Sequence, residues 1–187
     1  LERPTVVGVS EGGITACLAA AAHPDRIERV ALLNATAGGF DRRAKGEMTD
    51  AEFDSWREFI HATAVHWGEG RDGERWLTGV PNPDAAWGRL QRTCATPAVA
   101  RRYMSAIEEG LTAWDVLEAI HQPVLVLQRT DDRVVPVEAA RAIAKQVPDA
   151  TLVELPGDQH LPWLGETGEI LERIRAFVGA PPPTARS

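Results

Sequence analysis

Short apolar runs of strand length recur along the chain and alternate with segments of helical spacing. The predicted strands lie at residues 4–9, 30–33, 124–128 and 151–155. Helices are predicted at residues 11–22, 137–147 and 166–178. Because continuous apolar runs are typical of parallel strands that are buried on both faces, the pattern predicts an α/β fold with a mostly parallel sheet and flanking helices.

The segment from residue 35 to residue 119 has a different sequence pattern, because apolar positions with helical spacing replace the strand-like runs. A Thr49-x-x-Glu52 capping box predicts the start of one helix, and apolar spacing predicts another over residues 97–111. We therefore expect residues 35–119 to form a helical lid, inserted into a core that is formed by residues 1–34 and 120–179.

Tryptophan is concentrated in this predicted lid. Five of the six tryptophans fall there, namely Trp56, Trp67, Trp76, Trp87 and Trp114. One interpretation is that they pack the lid against itself and against the sheet. The alternative is that some of them line a substrate pocket, for which Trp67, Trp87 and, after the last strand, Trp163 are the candidates.

Composition and charge narrow the function classes. The net charge is −7 and the arginines are scattered, which argues against a nucleic-acid partner. No apolar run approaches the roughly 20 residues of a membrane span, so a membrane partner is not expected. Cys17 and Cys94 lack metal-ligand spacing and are predicted to be buried free thiols of a cytoplasmic protein. We expect no metal and no cofactor, and we expect the proline-rich residues 180–187 to be a disordered end or a linker.

Reactive side chains follow three of the predicted strands. The first strand ends in a Gly-x-Ser-x-Gly motif around Ser10, which is the pattern of a nucleophile elbow. The pair Asp131-Asp132 follows the third strand, and His160 follows the fourth. Because parallel strands end at one edge of a sheet, we expect these residues to meet there. A serine hydroxyl needs an imidazole base, and the imidazole needs a carboxylate to orient it, so the sequence predicts a catalytic triad.

The chain resembles the C-terminal portion of the α/β-hydrolase superfamily, from the elbow strand onward. In that family's Gly-x-x-Asp-x-x-x-Pro acid loop the aspartate lies four residues before the proline, here Pro136, which selects Asp132 and leaves Asp131 as a solvated loop residue. The resemblance therefore implies Ser10 as nucleophile, His160 as base and Asp132 as its orienting acid. It also implies a partial hydrolase fold in which the N-terminal strands are absent.

The resemblance implies an oxyanion hole as well. One donor is the backbone N–H of the residue after the nucleophile, Glu11, and the other comes from a loop after an earlier strand that this sequence does not contain. The elbow strand then has an open edge, and we expect a missing N-terminal half or a partner chain to cover it. The Glu11 side chain has two interpretations: it shapes the entrance to the site electrostatically, or it faces water.

The implied activity is that of a serine hydrolase that cleaves a small apolar ester through an acyl-enzyme. A cofactor-free perhydrolase would use the same triad, whereas an epoxide hydrolase or dehalogenase is disfavoured because it attacks with a carboxylate where this chain has Ser10. A second class is a weakly catalytic or non-catalytic small-molecule sensor of a signalling protein. Residues 8–13, 132–136 and 155–163 are similar to hydrolase domains attached to bacterial adenylate/guanylate cyclases and transcriptional regulators, which agrees with that class.

Overall fold

The computed structural model describes residues 3–38, 43, 46 and 48–179. Its sheet has four parallel strands in chain order: β1 (Thr5–Val9), β2 (Arg29–Leu33), β3 (Val124–Arg129) and β4 (Ala150–Leu155). The predicted parallel sheet is therefore confirmed. The tail at residues 180–187, predicted to be disordered or a linker, lies outside the described residues.

Helices connect and flank the strands. α1 (Gly12–Ala22) crosses from β1 to β2, α6 (Val137–Gln146) crosses from β3 to β4, and α7 (Gly168–Val178) follows β4. Between β2 and β3 lie α2 (Asp50–Val65), α3 (Gly73–Trp76), α4 (Pro83–Cys94), α5 (Pro97–Glu108) and a 3₁₀ helix (Trp114–Ala119). Residues 48–119 thus contain helices and loops but no strand, and we call them the helical segment.

The helical segment begins with the capping box that the sequence predicts. The Thr49 hydroxyl accepts a hydrogen bond from the Glu52 N–H at 3.2 Å, and the Glu52 carboxylate accepts one from the Thr49 N–H at 2.8 Å. Further along α2, the indole N–H of Trp56 donates to the carbonyl of Val134 at 2.6 Å. This bond attaches α2 to the loop that follows β3, which is the loop that carries the predicted acid.

The two faces of the sheet bury separate cores. Val30 and Leu32 of β2 lie in a core with α1, α6 and the helical segment. Ala31 and Leu33 of the same strand lie in a second core, which α7 covers. Because successive side chains of a strand point to opposite faces, a strand covered on both faces is apolar throughout. This accounts for the continuous apolar runs in β2 and β3.

β1 is one of the two edge strands of the described sheet, and β4 is the other. It pairs with β2 on one side, and no described strand pairs with its other side. Val7, at the centre of β1, is 51% exposed although its side chain is apolar. That further chain covers this edge stays a prediction. None of the helices in the described part of the chain has the length and apolarity that crossing a membrane requires.

The two cysteines differ in their surroundings. Cys17 is buried in α1, and burial raises the pKa of its thiol to about 12. Cys94 is exposed, so the prediction that both thiols are buried is wrong for this residue. The reason is that Cys94 lies in the final turn of α4, beyond Gln91, the last buried residue of that helix.

Candidate active site

Ser10 lies between β1 and α1 on a tight turn with a strained backbone. Its φ angle is +54°, a left-handed conformation that residues other than glycine rarely adopt. A Cβ on Gly8 would lie 2.8 Å from the carbonyl oxygen of Gly12, and one on Gly13 would lie 2.6 Å from that of Thr36. A Cβ on Gly12 would meet nothing within 4 Å. The turn therefore requires glycine at positions 8 and 13, whereas it leaves room for a side chain at position 12.

The structure brings Ser10, His160 and Asp132 into one hydrogen-bonded line. His160 Nε2 lies 3.0 Å from Ser10 Oγ. On the other side of the ring, His160 Nδ1 lies 3.0 Å from Asp132 Oδ2 and 3.2 Å from Oδ1. The side chains of His160 and Asp132 are buried. The arrangement can move a proton from the serine hydroxyl to an imidazole that a buried carboxylate orients.

Three groups hold the Asp132 carboxylate in position. The backbone N–H groups of Val134 and Val135 donate to Oδ1 at 2.8 and 3.1 Å, and the Gln128 amide donates to Oδ2 at 3.3 Å. The neighbouring Asp131 is exposed and accepts a hydrogen bond from the hydroxyl of Thr130 at 3.0 Å. Of the two adjacent carboxylates, only that of Asp132 therefore reaches the histidine.

Asn34 is a site residue that the sequence reasoning missed. It follows β2 in a left-handed conformation, with φ +45°. Its Oδ1 accepts a hydrogen bond from the backbone N–H of Arg129 at 3.0 Å, and its Nδ2 donates to the carbonyl of His160 at 2.5 Å. Asn34 thus joins the end of β2 to the end of β3 and to the histidine loop. The signal available in the sequence was a polar residue directly after a buried apolar strand.

Arg129 was missed as well. Its side chain is almost fully buried, and its guanidinium donates to the backbone carbonyls of Gln159, Leu161, Leu164 and Glu166. Burial lowers the pKa of Arg129, and the negative charges of Asp132 and Asp158 oppose that shift. One side chain therefore organises the whole loop that carries His160.

An apolar cavity of about 300 Å³ lies beside this hydrogen-bonded line. Its lining includes the predicted Trp67 and Trp87, and also Trp76. The rings of Trp76 and Trp87 stack with centroids 4.7 Å apart, and the Trp76 ring meets the His160 ring edge-on at 5.5 Å. Trp76 therefore contacts both the cavity and the catalytic histidine.

Trp163 does not line this cavity, so the structure contradicts its prediction as a pocket residue. Its side chain is 62% exposed. Its loop neighbours Leu161 and Leu164 pack against the core, and the tryptophan between them is left facing solvent. The proximity of Trp163 to His160 in sequence therefore did not bring it into the pocket.

Glu11 contributes both its backbone and its side chain to the site. It precedes the first turn of α1, and its N–H donates to no acceptor among the described residues. Its Oε2 accepts a hydrogen bond from Ser10 Oγ at 2.7 Å, and its side chain borders the cavity. Two acceptors, Glu11 Oε2 and His160 Nε2, thus lie within reach of the single proton of the serine hydroxyl, and the contact with Glu11 is the shorter.

Comparisons with known proteins agree with the fold. The family model described as "alpha/beta hydrolase fold" matches residues 1–167. A pimeloyl-acyl-carrier-protein methyl ester esterase of Neisseria meningitidis is 25% identical over an alignment that covers 92% of this chain and 68% of the esterase. A provisionally named carbamate hydrolase, RutD, of Caulobacter sp. (strain K31) is 26% identical over an alignment that covers 86% of this chain. The chain spans 59% of the length of that relative.

Two solved structures, one named a hydrolase and one an esterase, have a similar fold. A hydrolase from Oleispira antarctica superposes with a TM-score of 0.76 at 16% identity, over 96% of this chain and 66% of that one. An esterase from Exiguobacterium antarcticum superposes with a TM-score of 0.74 at 21% identity, over 94% of this chain and 66% of that one. At these identities the likeness concerns the fold alone.

Proposed function

Because this chain belongs to the α/β hydrolase fold family, we propose that it is a serine hydrolase that cleaves small apolar esters through an acyl-enzyme. The observation that carries the proposal is the line of hydrogen bonds from Ser10 Oγ through His160 to Asp132. The strained turn under Ser10 is a second support, because it presents the hydroxyl at the end of the strand, as a nucleophile elbow does.

The geometry supports a defined role for each side chain. With the Nδ1 proton of His160 directed at Asp132, Nε2 is free to accept the proton of the Ser10 hydroxyl. Ser10 Oγ attacks the ester carbonyl as that proton leaves, and the imidazolium is stabilised by the Asp132 carboxylate. His160 then returns the proton to the departing alcohol, and the same residues activate water to release the acid from Ser10.

The negative charge that develops on the carbonyl oxygen needs backbone donors. The N–H of Glu11 supports the role of one donor, since it follows the nucleophile and has no acceptor among the described residues. A second donor is typical of the family, and losing one donor costs about 10²–10³ in rate. We propose that additional chain pairs with the open edge of β1 and supplies this donor. The exposure of Val7 on that strand supports the proposal.

The helical segment is proposed to act as the lid that selects the substrate. The cavity beside the triad is bordered by side chains of α2, α4 and α5, including Ile60, Trp87 and Met104. Apolar walls with few polar groups are typical of pockets that take apolar ligands, and about 300 Å³ is at the small end of the usual range. This supports a substrate in which the part that enters the cavity, either the acyl group or the alcohol, is small and apolar.

The test is covalent labelling combined with turnover. A fluorophosphonate probe is expected to modify the purified protein on Ser10, located by peptide mass spectrometry, and the protein is expected to hydrolyse short-chain esters. Ser10→Ala is expected to lose the label and at least about 10³-fold of the turnover. Ser105→Ala, on the exposed face of α5, is the matched control and is expected to retain both.

Different outcomes separate the proposal from its rival. Labelling and turnover that persist in Ser10→Ala would contradict it. Absence of turnover, together with stabilisation by small apolar molecules that Ser10→Ala leaves unchanged, would favour a sensor attached to a cyclase or a regulator. The motifs at residues 8–13, 132–136 and 155–163 support such an attachment as a finer proposal, which the coding sequence around this chain would test.

A further inference from the structure

The apolar cavity beside the triad has a single charged side chain on its border. Its other described lining residues are apolar, aromatic or hydroxyl-bearing, whereas Glu11 is a carboxylate. A glutamate is negatively charged at neutral pH. Among the described lining residues there is no arginine or lysine to offset that charge. The charge that the described lining places on the cavity is therefore negative.

This charge lies next to the atom proposed to attack the substrate. Glu11 Oε2 is 2.7 Å from Ser10 Oγ, so any ester carbonyl that reaches the hydroxyl also approaches the carboxylate. The charge of Glu11 also acts on Tyr103, another residue that borders the cavity. The pKa of Tyr103 is raised first by burial and second by the charge of Glu11.

A substrate with its own carboxylate would meet this charge in a partly desolvated site. Two like charges repel more strongly there than in water, because less solvent screens them. A neutral chain of the same length experiences no such repulsion, and a chain with an ammonium group is attracted. The effect depends on the Glu11 charge and not on the size of the cavity.

We propose that Glu11 determines charge specificity: the site takes esters with neutral chains and rejects those with a carboxylate on the chain that enters the cavity. The inference rests on the proposed function, since it concerns the substrates of the same site. It assigns the side chain of Glu11 a role separate from that of its backbone N–H.

The test compares three esters of similar length in one assay. Methyl hexanoate is neutral, monomethyl adipate ends in a carboxylate, and methyl 6-aminohexanoate ends in an ammonium group. In Glu11→Gln, kcat/KM for the anionic ester relative to the neutral one is expected to rise about tenfold, and that for the cationic ester to fall by a similar factor. Using ratios cancels any common effect of losing the Ser10–Glu11 contact. Glu172→Gln, on exposed α7, removes one equal charge and is expected to leave both ratios unchanged.

The outcomes distinguish the two proposals. If the unmodified protein cleaves methyl hexanoate and Glu11→Gln leaves both ratios within twofold, the proposed charge specificity of Glu11 is overturned, while the proposed hydrolase function is retained. If both ratios move in the same direction, desolvation of the charged substrates and not the Glu11 charge sets the selectivity. This outcome also overturns the proposed charge specificity. If the unmodified protein cleaves none of the three esters and is not labelled at Ser10, the proposed function is overturned, and the charge specificity that depends on it is overturned as well.

Discussion

The two sides of the candidate active site are stabilised by different interactions. On the sheet side, Asp132, His160 and the loops around them are held by directional hydrogen bonds from backbone and side-chain groups. On the helical side, the cavity wall is an aromatic cluster in which Trp76 stacks on Trp87 and Trp67 meets Trp87 edge-on. Aromatic packing depends on area and shape more than on single partners.

This difference indicates which changes each side tolerates. A hydrogen-bonded group that loses its partner leaves a buried polar atom unsatisfied, so small chemical changes on the sheet side have large effects. An apolar wall accepts substitutions of similar volume at a modest cost. We therefore expect the sheet side to fix the chemistry of the proposed hydrolase, and the helical side to be the place where substrate preference can change without loss of the reaction.

The largest effect is expected from a change of one atom on the sheet side. Asp132→Asn keeps the shape of the side chain but no longer holds the His160 ring in the required tautomer. We expect kcat/KM for a short-chain ester to fall about 10⁴-fold. Asp131→Asn is the matched control, because Asp131 is the exposed neighbour of the same type, and it is expected to change kcat/KM by less than about twofold. Equal losses in the two variants would contradict the assignment of Asp132.

A smaller effect is expected from the residue that connects the loops. Asn34→Ala removes the bonds to Arg129 and His160 and leaves a buried N–H unpaired. We expect the free energy of unfolding to fall by about 1–3 kcal/mol and kcat to fall about tenfold, with KM nearly unchanged. Chemical denaturation and steady-state kinetics measure the two quantities.

A second variant separates the backbone of Asn34 from its side chain. Asn34→Gly retains the freedom to adopt the positive φ angle but has no amide. If the hydrogen bonds position His160, Asn34→Gly and Asn34→Ala lose kcat to the same extent. Normal kcat in Asn34→Gly would instead assign the effect to backbone conformation alone.

The smallest effect is expected on the helical side. Trp87→Phe shortens one wall of the cavity, and KM for an apolar ester is expected to rise about fourfold, the factor that corresponds to roughly 0.8 kcal/mol for one buried methylene equivalent. The kcat is expected to stay within about twofold. Trp163→Phe is the control, since that residue is exposed and lies outside the cavity. A larger fall in kcat than rise in KM for Trp87→Phe would show that the two sides are not independent.

The sequence predicts the sheet and the meeting of three reactive residues because both depend on local signals. Apolar runs mark the strands, and Ser10, Asp132 and His160 each follow the end of one. Parallel strands bring those ends to one edge, so order along the chain was enough. The resemblance in the acid loop then distinguished Asp132 from Asp131.

The remaining residues depend on contacts between distant segments. Asn34 and Arg129 act through backbone carbonyls of the histidine loop. Because every residue has a backbone carbonyl, the residue types in that loop do not reveal which of them accept hydrogen bonds. Whether a tryptophan lines the cavity likewise depends on the direction of its side chain. For this reason the sequence did not indicate Trp76 as a cavity residue, and its indication of Trp163 was wrong. The steric need for glycine at position 13 arises from Thr36, which belongs to another loop.

The bonds of Asn34 have a consequence for how the protein folds. They connect segments 95 and 126 residues apart in the chain, and the contact between Ser10 and His160 spans 150. Contacts between residues so far apart in the sequence require the closure of long loops, whereas the capping box of α2 forms between residues three positions apart. We therefore expect the reactive geometry to be among the last features acquired during folding, after the helices that local contacts stabilise.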